Sequence, residues 1–279
     1  MYQEFHVTYR QLVESIVRGG MMEKNERTGE GIRMLGCPAS LMVDMQAGRL
    51  PVPGNRKAYP VTAAAEIAWM LSGEKSTAWL RQYCKIWDKF VEPGTDEVVN
   101  AYGYMWRHHF GRDQIQFAVD ALRENPTDRQ VYITAWDPSR DGLGDMDSPK
   151  ANVACPVGFS VNITRGNLNL AVFIRSSDVF VGLPYDVMGY ALLLDAFAVT
   201  LDKGPGFLHV TLAHPHVYEI HVEDAFKSLE AGPRVDKPEM PGWSIVQIER
   251  DPDGYVAAMK EAADAVRWPE FNPRPEVVQ

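Results

Sequence analysis

The chain has 279 residues, of which 46% are hydrophobic and 23% charged, so it carries enough apolar side chain for a folded core and is not expected to be disordered. Its net charge of −9 argues against general binding of nucleic acid. We expect no membrane span, because no apolar run reaches about 18 residues, and the first ten residues do not have the pattern of a signal peptide. Three scattered cysteines indicate a reducing compartment, so the protein is expected in the cytoplasm.

Helices and strands are predicted to mix along the chain without a regular alternation. In chain order we predict helix Tyr9–Met22, strand Ile32–Val43, helix Thr62–Leu71, helix Thr77–Cys84, helix Asp113–Glu124, strand Gln130–Ala135, strand Ala154–Ile163, strand Asn167–Ile174, helix Val187–Val199, strand Phe207–Thr211, helix Val222–Leu229 and strand Ser244–Glu249. Proline and glycine are spread over the whole chain and do not collect in a linker. We therefore expect one α+β domain over residues 1–279, with a mixed or antiparallel sheet and packed helices.

Two arginines stand in contexts that suit a phosphate group. Arg27 is followed by a glycine-containing run that ends at Gly31, and glycine lets the backbone approach a ligand closely. Arg175 follows a predicted strand and precedes the hydroxyl side chain of Ser176. Each arginine taken alone is more typical of a solvated surface charge.

Two other side chains are open to a structural or a catalytic interpretation. Cys155 taken alone is more typical of a small buried apolar residue than of a nucleophile. Glu66 is the single charge in the predicted helix Thr62–Leu71, where it either faces solvent or is buried with a raised pKa. Taken alone, Glu66 fits the solvent-facing alternative better.

Histidines gather after the strand Phe207–Thr211. His216 and Tyr218 alternate in an extended run, so their rings are expected on the same side. His221 falls on the opposite face of that run from His214 and His216, and no cysteine is near. We therefore predict no metal site.

Taken in order, segments over nearly the whole chain resemble the thymidylate synthase family. No single segment is specific to that family, whereas the whole set in this order is. The segments are Asn25–Gly31, Glu66–Glu74, Ile86–Asp88, Tyr102–Arg107, Asn125–Arg129, Ala135–Asp137, Cys155, Arg175–Pro184, Tyr190–Leu193 and His216–Tyr218.

The resemblance implies a nucleotide site shared between two subunits of a homodimer that pack sheet to sheet. Cys155 would add to C6 of a pyrimidine nucleotide and so make C5 a carbon nucleophile. Arg27, Arg175 and Ser176 would hold the 5′-phosphate, and Arg129 would reach the phosphate bound by the other subunit.

The resemblance also implies roles toward the sugar, the protons and the co-substrate. His216 and Tyr218 would bind the ribose 3′-hydroxyl, and Glu66 would organise proton transfers through water. The co-substrate would be 5,10-methylenetetrahydrofolate. The residues expected to meet this folate are Ile86, Trp87, Asp178 and Gly182.

One departure from the family predicts the base. Thymidylate synthases place asparagine after the Leu-Pro-aromatic run, and this chain has Asp186. Uracil offers a keto oxygen and an N3–H, whereas cytosine offers a 4-amino donor and a bare N3 acceptor. A carboxyl group accepts from the amine and shares a proton with N3, whereas an ionised one facing uracil O4 would be repelled. Asp186 therefore predicts a cytosine nucleotide, and the pattern is similar to that of phage deoxycytidylate hydroxymethylases.

Further departures bear on the product. The run Phe271–Pro275 resembles the segment that precedes the apolar cap of thymidylate synthases, and the given sequence ends in Glu276–Gln279, so we expect a short polar cap that admits water. Gln130 and Pro156 stand where the family often has arginine and histidine, and Arg56 or Lys57 would replace a lost phosphate contact.

The predicted activity is that of a dCMP 5-hydroxymethylase in the cytoplasm, that of the host if the gene is from a phage. The alternatives are a CMP 5-hydroxymethylase, a dCMP C5-methyltransferase and a catalytically silent nucleotide-binding homologue.

Overall fold

The computed structural model describes residues 4–24, 29–142, 153–231 and 236–273. The α-helices are α1 Phe5–Gly19, α2 Pro60–Ser72, α3 Tyr102–Tyr104, α4 Gln114–Glu124, α5 Leu183–Thr200, α6 Val222–Glu230, α7 Ile245–Arg250 and α8 Pro252–Asp264. The strands are β1 Met21–Lys24, β2 Gly31–Met34, β3 Ala39–Asp44, β4 Tyr132–Thr134, β5 Pro156–Thr164, β6 Asn167–Ile174, β7 Ser177–Asp178, β8 Gly204–Leu212 and β9 Pro215–Tyr218. Short 3₁₀ turns are Leu80–Gln82, Ile86–Phe90 and Glu219–His221, and α3 continues into a π turn, Met105–His109.

The strands form two mixed sheets. The larger has the order β3-β8-β6-β5-β4, in which only β6 and β8 are parallel. The smaller has the order β1-β2-β9-β7, in which β7 and β9 are parallel. The expected α+β class with a mixed sheet and packed helices is therefore confirmed.

The core lies between the larger sheet and the helices. Side chains of β6 alternate, so that Leu168, Leu170, Val172 and Ile174 are buried while Phe173 is exposed. The buried face of β6 and β8 packs on α5, and α5 in turn packs on α2. Because α5 is enclosed on both sides, it is apolar around its whole circumference.

Two glycines shape the packing of the helical layer. Gly73 ends α2 in the left-handed conformation, with φ +75°. A Cβ on Gly103 would collide with the backbone of Met70, so glycine is required for α3 to approach α2. This approach packs α3 against the last turn of α2.

Most predicted elements are confirmed, with ends that move by a few residues. The strand predicted over Asn167–Ile174 has the same bounds as β6, and the predicted helix Val187–Val199 lies within α5. Local periodicity suffices for these elements because their buried faces are continuous along the chain.

Three predictions are wrong. Ser244–Glu249 is helical, because Ser244 and Gln247 form a capping box at the start of α7. Ile32–Val43 is two strands that belong to different sheets. Thr77–Cys84 forms only one 3₁₀ turn, Leu80–Gln82, rather than a helix.

Two helices, α3 and α8, were not predicted at all. Asp251 caps α8 by accepting a hydrogen bond from the backbone N–H of Gly254, and Pro252 starts the helix.

In the ranges that the structure describes, every helix is too short or too polar to traverse a lipid bilayer.

Candidate active site

Most of the predicted site residues gather at one end of the larger sheet. β5 starts at this end and β6 and β8 finish there, since Pro156 pairs with Ile174 and Ile174 with Leu212. A chain of contacts joins the side chains found here, which are Glu66 and Trp87 from the helical layer, Cys155 before β5, Arg175 after β6, Asp178 in β7, Asp186 in the first turn of α5, and His216 and Tyr218 in β9.

Arg175 binds the segment that carries Cys155. Its Nε donates to the carbonyl oxygen of Ala154 at 2.8 Å, and its Nη2 donates to that of Val153 at 3.0 Å. Nη2 also lies 3.6 Å from Sγ of Cys155, which is half-buried. A guanidinium group at this distance stabilises a thiolate relative to a thiol, so the cysteine has the surroundings of a nucleophile.

Tyr102 is a site residue that the sequence motifs contain but to which we assigned no role. The backbone N–H of Cys155 donates to its hydroxyl oxygen at 3.0 Å. Burial raises the pKa of Tyr102 well above its ordinary value. The neutral hydroxyl therefore keeps its own proton while it holds the nucleophile segment, and the signal for this contact is not local in the sequence.

Glu66 does not lie on an open face of α2, contrary to the expectation from the helix alone. It is half-buried, and Nε1 of Trp87 donates to its Oε1 at 2.6 Å. Burial raises the pKa of Glu66 to about 7, although the Trp87 hydrogen bond opposes part of that shift. A carboxyl group with this pKa exchanges protons readily near neutral pH.

The two adjacent residues expected to meet folate differ in exposure. Trp87 is buried, and its ring packs against those of Trp69, Phe90 and Tyr102 at centroid distances of 5.2, 5.7 and 5.8 Å. Ile86 is 37% exposed. Trp87 thus joins Glu66 to Tyr102 within the wall of the site, while Ile86 is accessible from outside.

Asp186 lies in the first turn of α5, where its carboxyl group is half-buried. Burial raises its pKa to about 8, and the nearby carboxylates of Glu66 and Asp178 add to the shift. Burial therefore favours the protonated form of Asp186 near neutral pH. Gly182, which precedes α5, donates its N–H to the carbonyl oxygen of Asp178 at 2.9 Å and links the two acids through the backbone.

His216 and Tyr218 lie on the same side of β9, as predicted. Their rings meet edge to face at 5.1 Å. Nδ1 of His216 lies 3.1 Å from the carbonyl oxygen of His214, and its buried Nε2 has no hydrogen-bond partner in the described ranges. That nitrogen is available to a ligand.

The position inferred for His221 from an extended run is wrong. The strand ends at Tyr218, and the following 3₁₀ turn carries His221 back toward Asp178, with Nδ1 3.9 Å from Oδ2. Alternation does not apply once the backbone leaves the extended conformation. His216 and His221 therefore both lie next to Asp178.

The remaining phosphate candidates are placed differently. Arg27 lies outside the described residues, Ser176 is half-buried next to Arg175, and Arg129 is exposed in the turn before β4. Arg56 is buried, with 3% exposure, and donates from Nη2 to the carbonyl oxygen of Phe180 at 2.6 Å. Its guanidinium also stacks on the Phe180 ring at 4.9 Å, so it supports the turn before α5.

Comparison with known families agrees with this arrangement. The family model described as thymidylate synthase matches residues 7–251, which is most of the chain. Members of this family transfer a one-carbon unit to C5 of a nucleotide with methylenetetrahydrofolate as co-substrate. The mixed sheet with packed helices also fits their fold. This chain belongs to the thymidylate synthase family.

Proposed function

We propose that the protein is a dCMP 5-hydroxymethylase. It would transfer a one-carbon unit from 5,10-methylenetetrahydrofolate to C5 of dCMP and let water capture the exocyclic methylene. The observation that carries the choice of base is Asp186, a carboxyl group held in the site with a pKa of about 8.

A protonated Asp186 discriminates between the two pyrimidine bases. N3 of cytosine is basic and accepts the carboxyl proton, and the carboxylate then accepts a hydrogen bond from the 4-amino group. N3 of uracil already carries hydrogen and cannot accept that proton. The neutral acid is thus suited to cytosine and loses its advantage with uracil.

The surroundings of Cys155 support the covalent step. Its thiolate, next to Arg175, would form a bond to C6, and C5 would then attack the methylene group of the co-substrate. Glu66 would accept the C5 proton through water as tetrahydrofolate leaves, because its pKa of about 7 lets it exchange protons. Water then adds to the exocyclic methylene, the sulfur–C6 bond breaks, and no dihydrofolate is formed.

The binding roles follow the same geometry. Arg175 and Ser176 would hold the phosphate at the end of β6, and the unpartnered Nε2 of His216 would meet the 3′-hydroxyl together with Tyr218. Arg27 would complete the phosphate site from the residues that the structure does not describe. Asp178, Gly182, Ile86 and Trp87 would border the folate, and no bound metal is needed in this scheme.

A homodimer would bring Arg129 of a second copy to the phosphate. The larger sheet has a face turned away from α5 that supports this proposal. One row of paired residues crosses all five strands on that face and is exposed or half-buried. The row consists of Met42, His209, Ala171, Ser160 and Tyr132.

The segment expected to form a short polar cap that admits water is only partly described. Residues 274–279 are not described, whereas Phe271 and Asn272 lie against the loop before α2. Lys57 donates its backbone N–H to the carbonyl oxygen of Phe271 at 2.9 Å, and Tyr59 donates its hydroxyl to Asn272 at 2.8 Å. The choice of water over hydride therefore rests on the resemblance to deoxycytidylate hydroxymethylases.

One competition experiment tests the whole proposal. The protein is incubated with dCMP, dUMP, CMP and methylenetetrahydrofolate together, and the nucleotide products are identified by mass. We expect dCMP to gain one CH₂O unit without formation of dihydrofolate. A methyl product formed together with dihydrofolate would indicate hydride capture. Preferential consumption of CMP would mean that the substrate carries ribose rather than deoxyribose. Preferential consumption of dUMP would contradict the role of Asp186.

A further inference from the structure

The buried residue His221 has no part in the proposed function. Its side chain is 3% exposed, and neither ring nitrogen has a hydrogen-bond partner in the described part of the chain. Buried polar atoms are rarely left without partners, so an imidazole with two such nitrogens needs an explanation.

The position of His221 is fixed by its neighbours. Nδ1 lies 3.9 Å from Oδ2 of Asp178, which is within ion-pair distance. The ring packs near those of Phe180 and Tyr218, each at a centroid distance of 6.3 Å. These aromatic rings restrict the imidazole, so it stays next to the carboxyl group.

The two carboxyl oxygens of Asp178 have different neighbours. Oδ1 accepts hydrogen bonds from the backbone N–H groups of Phe180 and Val181, both at 3.0 Å. Oδ2 is the oxygen that faces His221. The turn therefore holds one side of the carboxyl group, and the imidazole is the neighbour of the other side.

We propose that His221 is a positioning residue that keeps Asp178 ionised and fixes the direction of its outer oxygen toward the folate co-substrate. The folate part of this inference rests on the proposed function, in which Asp178 borders that ligand. An ionised carboxyl group accepts hydrogen bonds from two donors of a ligand, whereas a protonated one must donate in one of them.

The charges around Asp178 make its ionisation depend on the imidazoles. Burial raises the pKa of Asp178, whereas positive charge on the neighbouring histidines lowers it. The titratable or charged groups around Asp178 are His216 of β9, His221 of the following turn, Asp186 of α5, Tyr9 of α1, and Arg56, which binds the Phe180 carbonyl.

A titration of Asp178 tests the pairing without any ligand. The protein is labelled with ¹³C at the aspartate carboxyl carbons, and the Asp178 signal is identified by its loss in Asp178→Asn. We expect His221→Asn, which removes the imidazole, to move the titration midpoint of Asp178 upward by about one pH unit. The exposed His214 is the matched control, and His214→Asn should leave the midpoint in place. His221→Gln repeats the measurement if the first variant does not fold, and an unchanged midpoint overturns the inference.

A kinetic measurement tests the link to folate. In His221→Asn we expect the KM for methylenetetrahydrofolate to rise about tenfold near neutral pH and to recover at higher pH, where Asp178 ionises again. The Kd for dCMP should change by less than about twofold, because His221 acts through the folate side of the site. A loss that is equal at every pH, or shared by dCMP, would show a merely structural residue.

The two measurements separate the two proposals. If the wild-type protein shows no folate-dependent turnover, the proposed function fails, while the titration of Asp178 still decides whether His221 sets its charge. If turnover is present and the midpoint does not move, only the inference about His221 fails.

Discussion

The two walls of the site hold their acidic groups by different means. In the helical wall, Glu66 has a hydrogen-bond donor, Nε1 of Trp87, and its pKa is raised by burial to about 7. In the wall formed by β7 and α5, Asp186 is raised to about 8, because burial is reinforced by the charges of Glu66 and Asp178. Equal burial does not give equal protonation. Burial is the largest cause of the raised pKa of both acids, and a neighbouring donor opposes it at Glu66 whereas like charges reinforce it at Asp186.

This contrast suggests a division of labour. The helical wall contacts the segment that carries Cys155 through Tyr102 and would move protons through Glu66. The β7–α5 wall would read the base through Asp186. Substitutions in the first wall should therefore lower turnover of every substrate, and substitutions in the second should change which substrate is used.

The largest effect is expected at the nucleophile. Cys155→Ala should lower the exchange of tritium from C5 of dCMP by about ten-thousand-fold or more, because no other described group would form the bond to C6. Binding of dCMP, measured by calorimetry, should persist. Cys37→Ala, at an exposed cysteine, serves as the control. Retained exchange in Cys155→Ala would remove this residue as the nucleophile.

Substitution of Asp186 should change the preference between substrates without abolishing the reaction. In Asp186→Asn the ratio of kcat/KM for dCMP to that for dUMP should fall by about a hundredfold, because an amide cannot give a proton to N3 of cytosine. Asp195→Asn is a matched control, since Asp195 is a buried acid of the same helix that accepts from Gly242 N–H at 3.1 Å. If the ratio stays the same in Asp186→Asn, the base is selected elsewhere.

Shared sites can be tested by mixing two inactive proteins. Arg129→Ala and Cys155→Ala subunits in equal amounts should form hybrid dimers with one complete site, which restores up to about a quarter of wild-type turnover. Each variant alone should remain nearly inactive under the same conditions. A mixture no more active than its components, although subunit exchange is seen by native mass spectrometry, would count against a site that spans two copies.

Sequence periodicity predicted most of the helices and strands but few of the contacts between side chains of the site. Helix α5 and strand β6 were predictable, because each has a continuous buried surface. The contacts of Tyr102 with Cys155 and of Trp87 with Glu66 join residues 53 and 21 positions apart, so no local pattern encodes them. His221 was placed on the wrong side because a 3₁₀ turn replaces the extended run after Tyr218. Non-local packing therefore sets the protonation of the site.

The smallest of these effects is expected from the donor that distinguishes the two acids. Trp87→Phe keeps an aromatic ring but removes the N–H, and since that hydrogen bond lowers the pKa of Glu66, its loss should raise the pKa above about 7. If ionised Glu66 accepts the C5 proton, the acid limb of kcat for dCMP moves to higher pH, and turnover near neutral pH falls by roughly threefold to tenfold. Trp79→Phe is the matched control, because its Nε1 donates to Asp253 at 3.0 Å, outside the site. If the acid limb stays in place and a basic limb moves to higher pH instead, the protonated acid is the active form, and the two walls then differ in the strength of their acids but not in the form that each uses.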